Sequence, residues 1–583
     1  MPSPPPADPV LLEVIRYALG AAADEMALAL QRAAYSTNIK TRQDFSCAIF
    51  DREARVVAQS FSQPVHLGSL THFVPRIVAA YGREALRPGD GVLCNDGHLG
   101  GVHLNDVCLV APVFHGGELV AFVAAIAHHV DVGGGTPGSL TGLSREIYQE
   151  GLRISPVRIM AEGRIDERML GLIAANVRSP RETSGDLRAQ VAGVHVGARR
   201  LAELIARHGW PTLSGAVEEL LDYSERRVRA AIGRLPAGEY AATGWMDSDG
   251  VSDEPVRVEV RVTVGAGRVR FDLSGSDAQR PCPINATYAM TLSNCAYALR
   301  VLLDDDVPLN AGFYRALEVV APPGTIVNAR PPAAIGGGWE TAFRVCETAM
   351  QALAAAAPER MAAGSKGCLC NIAFGGPARA EGERYVFYET MGGGYGGRAT
   401  KDGIDAVQPH GQNTENAPVE ETEAGYPVRI LRYALVPDSE GAGRSRGGLG
   451  LRRDYSFEQP VTFSVLADRA RFAPWGLAGG ADAPPARYVL DPYGEARALP
   501  SKFSLHLEPG QVVSVQMAGG GGYGPPWERD PARVVADLRD GKLSPGRARD
   551  AYGVVLDAAG ELDAAATAAA RAELRRAAGE ARP

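Results

Sequence analysis

Four polar residues crowd the segment CNDGHLGGVHLNDVCLVAP, residues 94–112: Asp96, His98, His103 and Asp106. A second group, His128, His129 and Asp131, closes the apolar run LVAFVAAIAHHVD that follows. Imidazoles and carboxylates in one place suit a borderline divalent ion such as Zn, Mn or Fe, and two or three protein ligands leave positions open for water or substrate. The alternative chemistry for the same residues is a hydrogen-bonded polar core without an ion. A single histidine at a strand end is usually structural. Here, however, five of the eleven histidines (98, 103, 115, 128 and 129) fall between positions 98 and 129, a concentration that favours the metal site.

Distant positions must then be brought together. VCLVAPVF and LVAFVAAIA flank HGGE, so the simplest structure is an antiparallel hairpin with its tip at Gly116-Gly117. A two-residue loop sets His103 opposite Val130 and Asp106 opposite Ala127; a three-residue loop sets them opposite His129 and Ile126. Opposed residues lie about 4.5–5.5 Å apart, so His103, Asp106, His128, His129 and Asp131 converge at the open end. A slip of one residue exchanges His128 for His129.

Upstream, PVLLEVIRYALGAAADEMALALQRAAYS places Leu11, Leu12, Ile15, Leu19 and Ala22 at the spacing of a long amphipathic helix. DFSCAIFD and residues 55–60 read as a strand pair around a turn at 51–54. Helices recur at about 160–232, with EIYQE a further one upstream and Pro236 and Gly238 closing the last. From about 240 the period becomes two, in VRVEVRVTV and RVRFDLSG around a Gly-containing turn at 265–267. Helices at TYAMTLSNCAYALRVLL and TAFRVCETAMQALAAAA, strands at FYETM and FSVLADR, and an Ala-rich C-terminal helix complete the pattern. Glycine clusters at 336–338, 392–394, 447–450 and 519–522 read as tight turns, able also to bring backbone close to a ligand or another strand.

A chain of 583 residues is too long for one core. The expected fold is α+β, with multi-layer mixed helices and largely antiparallel sheets in several subdomains. Residues 1–240 form a metal-site domain, 241–400 a mixed α/β middle region and 401–583 a β-rich C-terminal region. Hydrophobic content of 45% and charged content of 22% are those of a folded globular protein. The net charge of −8 and the lack of basic runs longer than pairs such as Arg452-Arg453 argue against a nucleic-acid partner. MPSPPPADPV lacks the features of a secretion signal, and no segment approaches the roughly 20 apolar residues of a membrane span. The eight scattered cysteines, without CxxC spacing, are expected to be reduced core thiols in the cytoplasm. No repeat of fixed period is present.

TRQDFSCAIFD, PVHLGSL, NDGHLGGVHLNDV, AHHVDVGGGTPGS, YQEGLRISPV, YETMGGGYGGR, DGIDAVQPHGQNTENAPVE, PDSEGAGRSRGGLG and GGGGYGPP occur in that order. These nine blocks resemble the signatures of the hydantoinase B/oxoprolinase family, from about residue 8 to 557. The resemblance implies a subunit of an ATP-dependent hydrolase of hydantoins, 5-oxoproline or other lactams; the alternatives are a ketone carboxylase subunit, or a scaffold without catalytic role. It also implies a divalent metal on Asp44, His103, Asp106 and His128, with His129 and Asp131 beside it as candidates to take the proton. Asp44 enters only through the resemblance, since an Asp opening a strand is ordinarily a cap. Phosphorylating the carbonyl oxygen of a ring amide makes a poor electrophile reactive, and a bound divalent ion can lower the pKa of water and stabilise an oxyanion. The chain has no GxxxxGK[ST] loop, so ATP and Mg are expected on a separate hydantoinase A-like subunit, in a hetero-oligomer.

Three departures from the family pattern stand out. Gly338-Trp339-Glu340-Thr341-Ala342-Phe343 replaces Asn-Val-Glu-Thr-Ser-Gln, Thr41 to Gln43 replaces a context containing Glu, and Gly97-His98 replaces Pro-Tyr. Large aromatic groups where small or polar ones are usual imply a reshaped substrate pocket with the four ligands unchanged.

Overall fold

In the computed structural model, which describes residues 8–60, 63–303, 306–380 and 382–580, helix α1 (Pro9–Ala33) begins where Asp8 accepts the Val10 amide. It buries Leu12, Ile15, Leu19, Ala22, Met26 and Leu30, the stripe expected from the spacing, with Leu11 only partly covered. After a short α2 (Thr37–Lys40) come β1 (Phe45–Asp51) and β2 (Val56–Gln59), the expected pair. Helix α3 (Pro64–Tyr81) is absent from the expected pattern. Pro64 and Pro75 punctuate its sequence as breakers, yet Pro64 stands in the first turn, where a missing N–H costs nothing, and Pro75 is tolerated inside.

Strands β3 (Gly91–Cys94), β4 (Asp106–His115), β5 (Glu118–His128), β6 (Val157–Ala161) and β7 (Arg164–Ile165) join the first two in an antiparallel sheet of order β2-β1-β5-β4-β3-β6-β7. Between β5 and β6, EIYQE forms only a three-residue 3-10 turn, Ile147–Gln149. Helices α4 (Glu167–Ala174), α5 (Pro180–His208) and α6 (Trp210–Ile232) follow. Both faces of the sheet are covered, which is why β4 and β5 are apolar throughout instead of alternating. Cys47, Ile49, Leu109 and Ala125 pack under α1 and α5. Ala48, Phe50, Cys108, Val110, Ala124 and Ile126 face α3.

The second half starts with β8 (Gly238–Met246), β9 (Val256–Gly265) and β10 (Arg268–Asp272), antiparallel neighbours. The β9–β10 turn is Ala266-Gly267, both at positive φ, as a tight twisted hairpin requires. After α7 (Tyr288–Arg300) and α8 (Ala311–Tyr314), β11 (Leu317–Val320) adds in parallel to β10. Helix α9 (Gly338–Ala354) follows, and its Trp339, Ala342 and Phe343 join α3 and Ala289 and Met290 of α7 over the first sheet. The middle of the chain therefore roofs the face that carries Asp106.

Two further sheets share an aromatic core around Phe374, Phe387, Tyr455 and Phe463. One has the order β13-β12-β16-β19 and contains β12 (Asn371–Pro377), β13 (Arg384–Thr390), β16 (Val461–Leu466) and β19 (Lys502–Leu507). The other runs β14-β15-β20-β17-β18. The glycine clusters at 392–394, 447–450 and 519–522 meet one another backbone to backbone: Gly394 N donates to Ala518 O, Gly448 N to Tyr395 O and Gly520 N to Gly448 O. A Cβ on Gly447 would lie 1.7 Å from the Gly520 carbonyl oxygen. The result is α+β with mixed layers and mainly antiparallel sheets. All eight cysteines are buried with free thiols. Among the described residues no helix is long and apolar enough to cross a membrane.

Candidate metal centre

The hairpin tip is the two-residue turn Gly116-Gly117, with His115 opposite Glu118. Below it the register departs from both expectations. An irregularity between Val113 and Phe114 places one extra residue, Val120, on β5, and every pair beyond shifts by one. Asp106 consequently faces His128, in place of Ala127 or Ile126. On the other side of β5, Phe45 pairs with Ala127 and His128 N donates to Asp44 O. Asp44, Asp106 and His128 therefore leave three adjacent strands on the same face, the one roofed by α3 and α9.

His103, in the turn before β4, completes the group. Its Nε2 lies 3.0 Å from Asp106 Oδ2 and 3.2 Å from His128 Nδ1, which is itself 3.2 Å from Asp106 Oδ1. These residues are buried, at 2% exposure or less. Two residues unassigned from sequence come from the roof. His66, in the first turn of α3, points Nε2 at Asp106 Oδ2 (3.6 Å) and Asp44 Oδ1 (3.9 Å). Trp339, in the first turn of α9, donates Nε1–H to Asp106 Oδ2 at 3.2 Å. The aromatic departure at 339 thus reaches the cluster itself. The Tyr388 ring stacks on His128 with centroids 4.2 Å apart. PVHLGSL and YETMGGG are conspicuous as blocks, but nothing local shows which of their side chains turn inward.

Further bonds fix the histidine tautomers. His103 Nδ1 lies 3.1 Å from Gly336 O, so Nδ1–H donates there and the Nε2 lone pair faces the cluster, the arrangement of a ligand histidine. The 335–336 peptide is in turn held by Glu150, whose carboxylate accepts Ile335 N (2.9 Å), Gly336 N (2.8 Å) and Ser144 Oγ (2.7 Å). Burial pushes the Glu150 carboxyl up to about 7 against these bonds. Burial also opposes ionisation of Asp106, but the neighbouring His103 and His66 outweigh it and hold the carboxyl well below the usual range. Burial lowers His103 and His66, and Asp106 more than reverses this; His128 stays lowered, chiefly by burial.

The donor set fits a divalent ion. Ligand atoms about 2.0–2.2 Å from a borderline ion stand roughly 3.0–3.5 Å from one another, and the three closest pairs here match that spacing. His66 Nδ1 and His128 Nε2 are buried without a protein hydrogen-bond partner, so internal bonds do not satisfy the group. A closed cavity of about 10 Å³, bounded by Asp44, His66, His103, His128, Trp339 and Tyr388, lies among them, room for about one water-sized sphere.

The other candidates lie elsewhere. His129 turns to the opposite face, where Nε2 meets Gln190 Oε1 of α5 at 3.0 Å. Asp131 accepts from Gly133 N, Gly138 N and Arg178 and organises the loop after β5. Asp96 caps a turn and pairs with Arg153, and His98 Nε2 reaches Ala333 O.

This architecture recurs in known proteins. The crystal structure of ATP-dependent caprolactamase from Pseudomonas jessenii superposes with a TM-score of 0.89 at 33% identity, covering 97% of this chain and 100% of that one. The B component of a putative D-/L-hydantoinase from a Pseudomonas species is 35% identical over 575 residues, 95% of this chain and 96% of its own. The nucleotide-free structure of acetone carboxylase shares the fold, with a TM-score of 0.89 over 99% of this chain and 84% of that one at 21% identity. With residues 8–526 matching the sequence pattern of the family, a chain that builds this buried His/Asp cluster on this fold belongs to the hydantoinase B/oxoprolinase family.

Proposed function

We propose that this chain is the metal-bearing subunit of an ATP-dependent hydrolase of cyclic amides, acting on a hydantoin, 5-oxoproline or another lactam activated by a hydantoinase A-like partner. The observation that carries the proposal is the convergence of His103, Asp106 and His128 on one closed cavity, with Asp44 and His66 at its wall. Relatives named as one component of a two-part hydantoinase and as the beta chain of a caprolactamase support both the reaction class and the need for a partner. A divalent ion held by Asp44, His103, Asp106 and His128 would supply a Lewis acid and a means of activating water at neutral pH.

The chain's own groups do the rest. Gly336 O keeps the His103 proton on Nδ1, Trp339 Nε1–H fixes Asp106 Oδ2, and the Tyr388 ring limits rotation of His128. The roof of α3 and α9 excludes bulk water, which protects a phosphorylated intermediate from wasteful hydrolysis. Because His129 and Asp131 are engaged with Gln190 and Arg178, the proton-holding role is assigned to His66 Nε2, which faces both carboxylates. The deciding experiment is metal analysis of the purified chain together with assay of His103→Ala in complex with its partner. Loss of ring opening with continued ATP splitting is the expected result. Unchanged activity without stoichiometric metal, or bicarbonate consumed with a ketone in place of ring opening, overturns the proposal.

A further inference from the structure

The metal cavity holds about one water-sized sphere and no lactam ring, so the substrate must first bind elsewhere. A cleft of about 270 Å³, near the lower end of small-molecule sites, lies directly outside it. Three chain segments form the wall between them, and each shows one residue to the cleft and a near neighbour to the cavity: Gln43 and Asp44, Gln63 and His66, Asn413 and Gln412. The wall is about one residue thick. The Gln63 side chain ties all three segments together, donating Nε2–H to Gln43 O (3.3 Å) and accepting from Asn413 N (2.7 Å) through Oε1. Other bonds, Glu415 N to Arg42 O and Ser293 Oγ to Val65 O, hold the segments independently of it.

The chemistry of the cleft is that of carboxamides. Gln31, Gln43, Gln63 and Asn413 line it with Phe45. A ring amide presents a carbonyl acceptor beside an N–H donor, and a carboxamide complements both. Gln43 is also one of the few non-glycine residues at positive φ (58°), immediately before Asp44. A conformation disfavoured for a side-chain-bearing residue, kept beside a reactive cluster, marks a functional position. A second cleft of about 430 Å³ touches the same segment at Pro64, but is lined largely by α7 and by Leu309 and Tyr314, away from Asp44.

We infer that the cleft lined by Gln31, Gln43, Gln63 and Asn413 receives the amide-bearing ring of the substrate, and that the Gln63 carboxamide is the door between this cleft and the metal cavity. This rests on the function proposed above. The cleft selects neutral cyclic amides through paired hydrogen bonds, and displacement of one side chain joins it to the cluster without moving a strand.

The test uses the purified full chain and 2-pyrrolidinone, a plain five-membered lactam, with binding read by saturation-transfer NMR and titration in the absence of metal. Gln43→Gly deletes a carboxamide while relieving the positive φ, so the fold is not at risk; Asn413→Ala leaves its backbone donor in place. Each is expected to weaken lactam binding at least five-fold. In the Mn²⁺-loaded chain, Gln63→Ala is expected to raise water-proton relaxation at least two-fold by letting solvent reach the ion. Absent lactam binding, equal affinity in both cleft variants, or unchanged relaxation in Gln63→Ala overturns the inference. Failure of the unaltered chain to take up stoichiometric Mn²⁺ instead overturns the proposed function, and the metal-free binding data stand apart from that outcome.

Discussion

One position separates His128 from His129, and the pleat at the end of β5 turns them to opposite faces of the sheet. His128 meets His103 and Asp106 under α3 and α9; His129 meets Gln190, whose Nε2 also donates to the carbonyls of Val107 and Ala125. Alanine at the two positions should therefore fail in different ways. His128→Ala is expected to lose at least ~100-fold in ion affinity, read as metal content after dialysis, with less effect on unfolding. His129→Ala keeps its ion and loses about 1–3 kcal/mol of stability, because Gln190 Oε1 is left buried without its partner. Equal metal loss in both would mean that the pleat does not separate the roles. Glu150 permits a prediction with a definite sign. Its carboxyl, like that of Glu340, is pushed by burial from 4.5 to about 7. Between those values the folded chain holds protons that the unfolded chain has released, so stability falls as pH rises from about 4.5 to 7 and levels off above. Urea unfolding across pH 5–8 should show this decline, and Glu150→Gln should remove about half of what the two groups contribute. A slope untouched by the substitution would place the titration elsewhere.

At the scale of elements, the two faces of the first sheet divide the labour: α1 and α5 stabilise it, and α3 and α9 complete the site. Gly197 of α5 tests the division. A Cβ there meets Met26 Sδ at 2.4 Å and Val123 Cγ1 at 3.0 Å, so Gly197→Val overpacks the junction of α1, α5 and β5. A loss of about 1–3 kcal/mol is expected, seen as a lower urea midpoint, while metal stoichiometry in the folded protein stays the same. Metal lost in proportion to stability would refute the separation. The same division explains what could be read in advance. The hairpin was legible because two apolar runs and a Gly-Gly turn are local signals, and its ends announced His103, Asp106 and His128. The one-residue shift at Val113 and Phe114 was not, since a bulge carries no composition of its own. Asp44 is one strand away from His128, and His66 and Trp339 arrive on overlying helices. Their convergence depends on tertiary packing, so only the family resemblance indicated Asp44 and nothing indicated His66.

For the whole molecule, the question is why the C-terminal half matters to a cluster built from residues 44–128. Tyr388 and Gln412 wall the metal cavity, and Arg42, one turn before β1, donates to Tyr388 O and Thr390 Oγ1. The site is therefore closed only when the sheet containing β13 is docked. That docking runs through the glycine segments, whose backbones touch so closely that the clusters read from sequence as separate turns form one packed unit. At Gly447 the obstacle to a Cβ is a carbonyl oxygen, and at Gly448 it is Ile404 O at 1.9 Å, both backbone and unable to rotate aside as a side chain could. Gly447→Ala is accordingly expected to cost more than about 4 kcal/mol, at the extreme of single substitutions. The first sheet, with its own two-sided core, should survive better than the region after residue 390. Limited proteolysis of the variant is then expected to cut first within 392–525, with metal affinity falling as Tyr388 and Gln412 leave the wall. If Gly447→Ala instead unfolds at the same urea concentration as the unaltered chain and keeps its ion, the glycine segments are not what holds the two halves around the site.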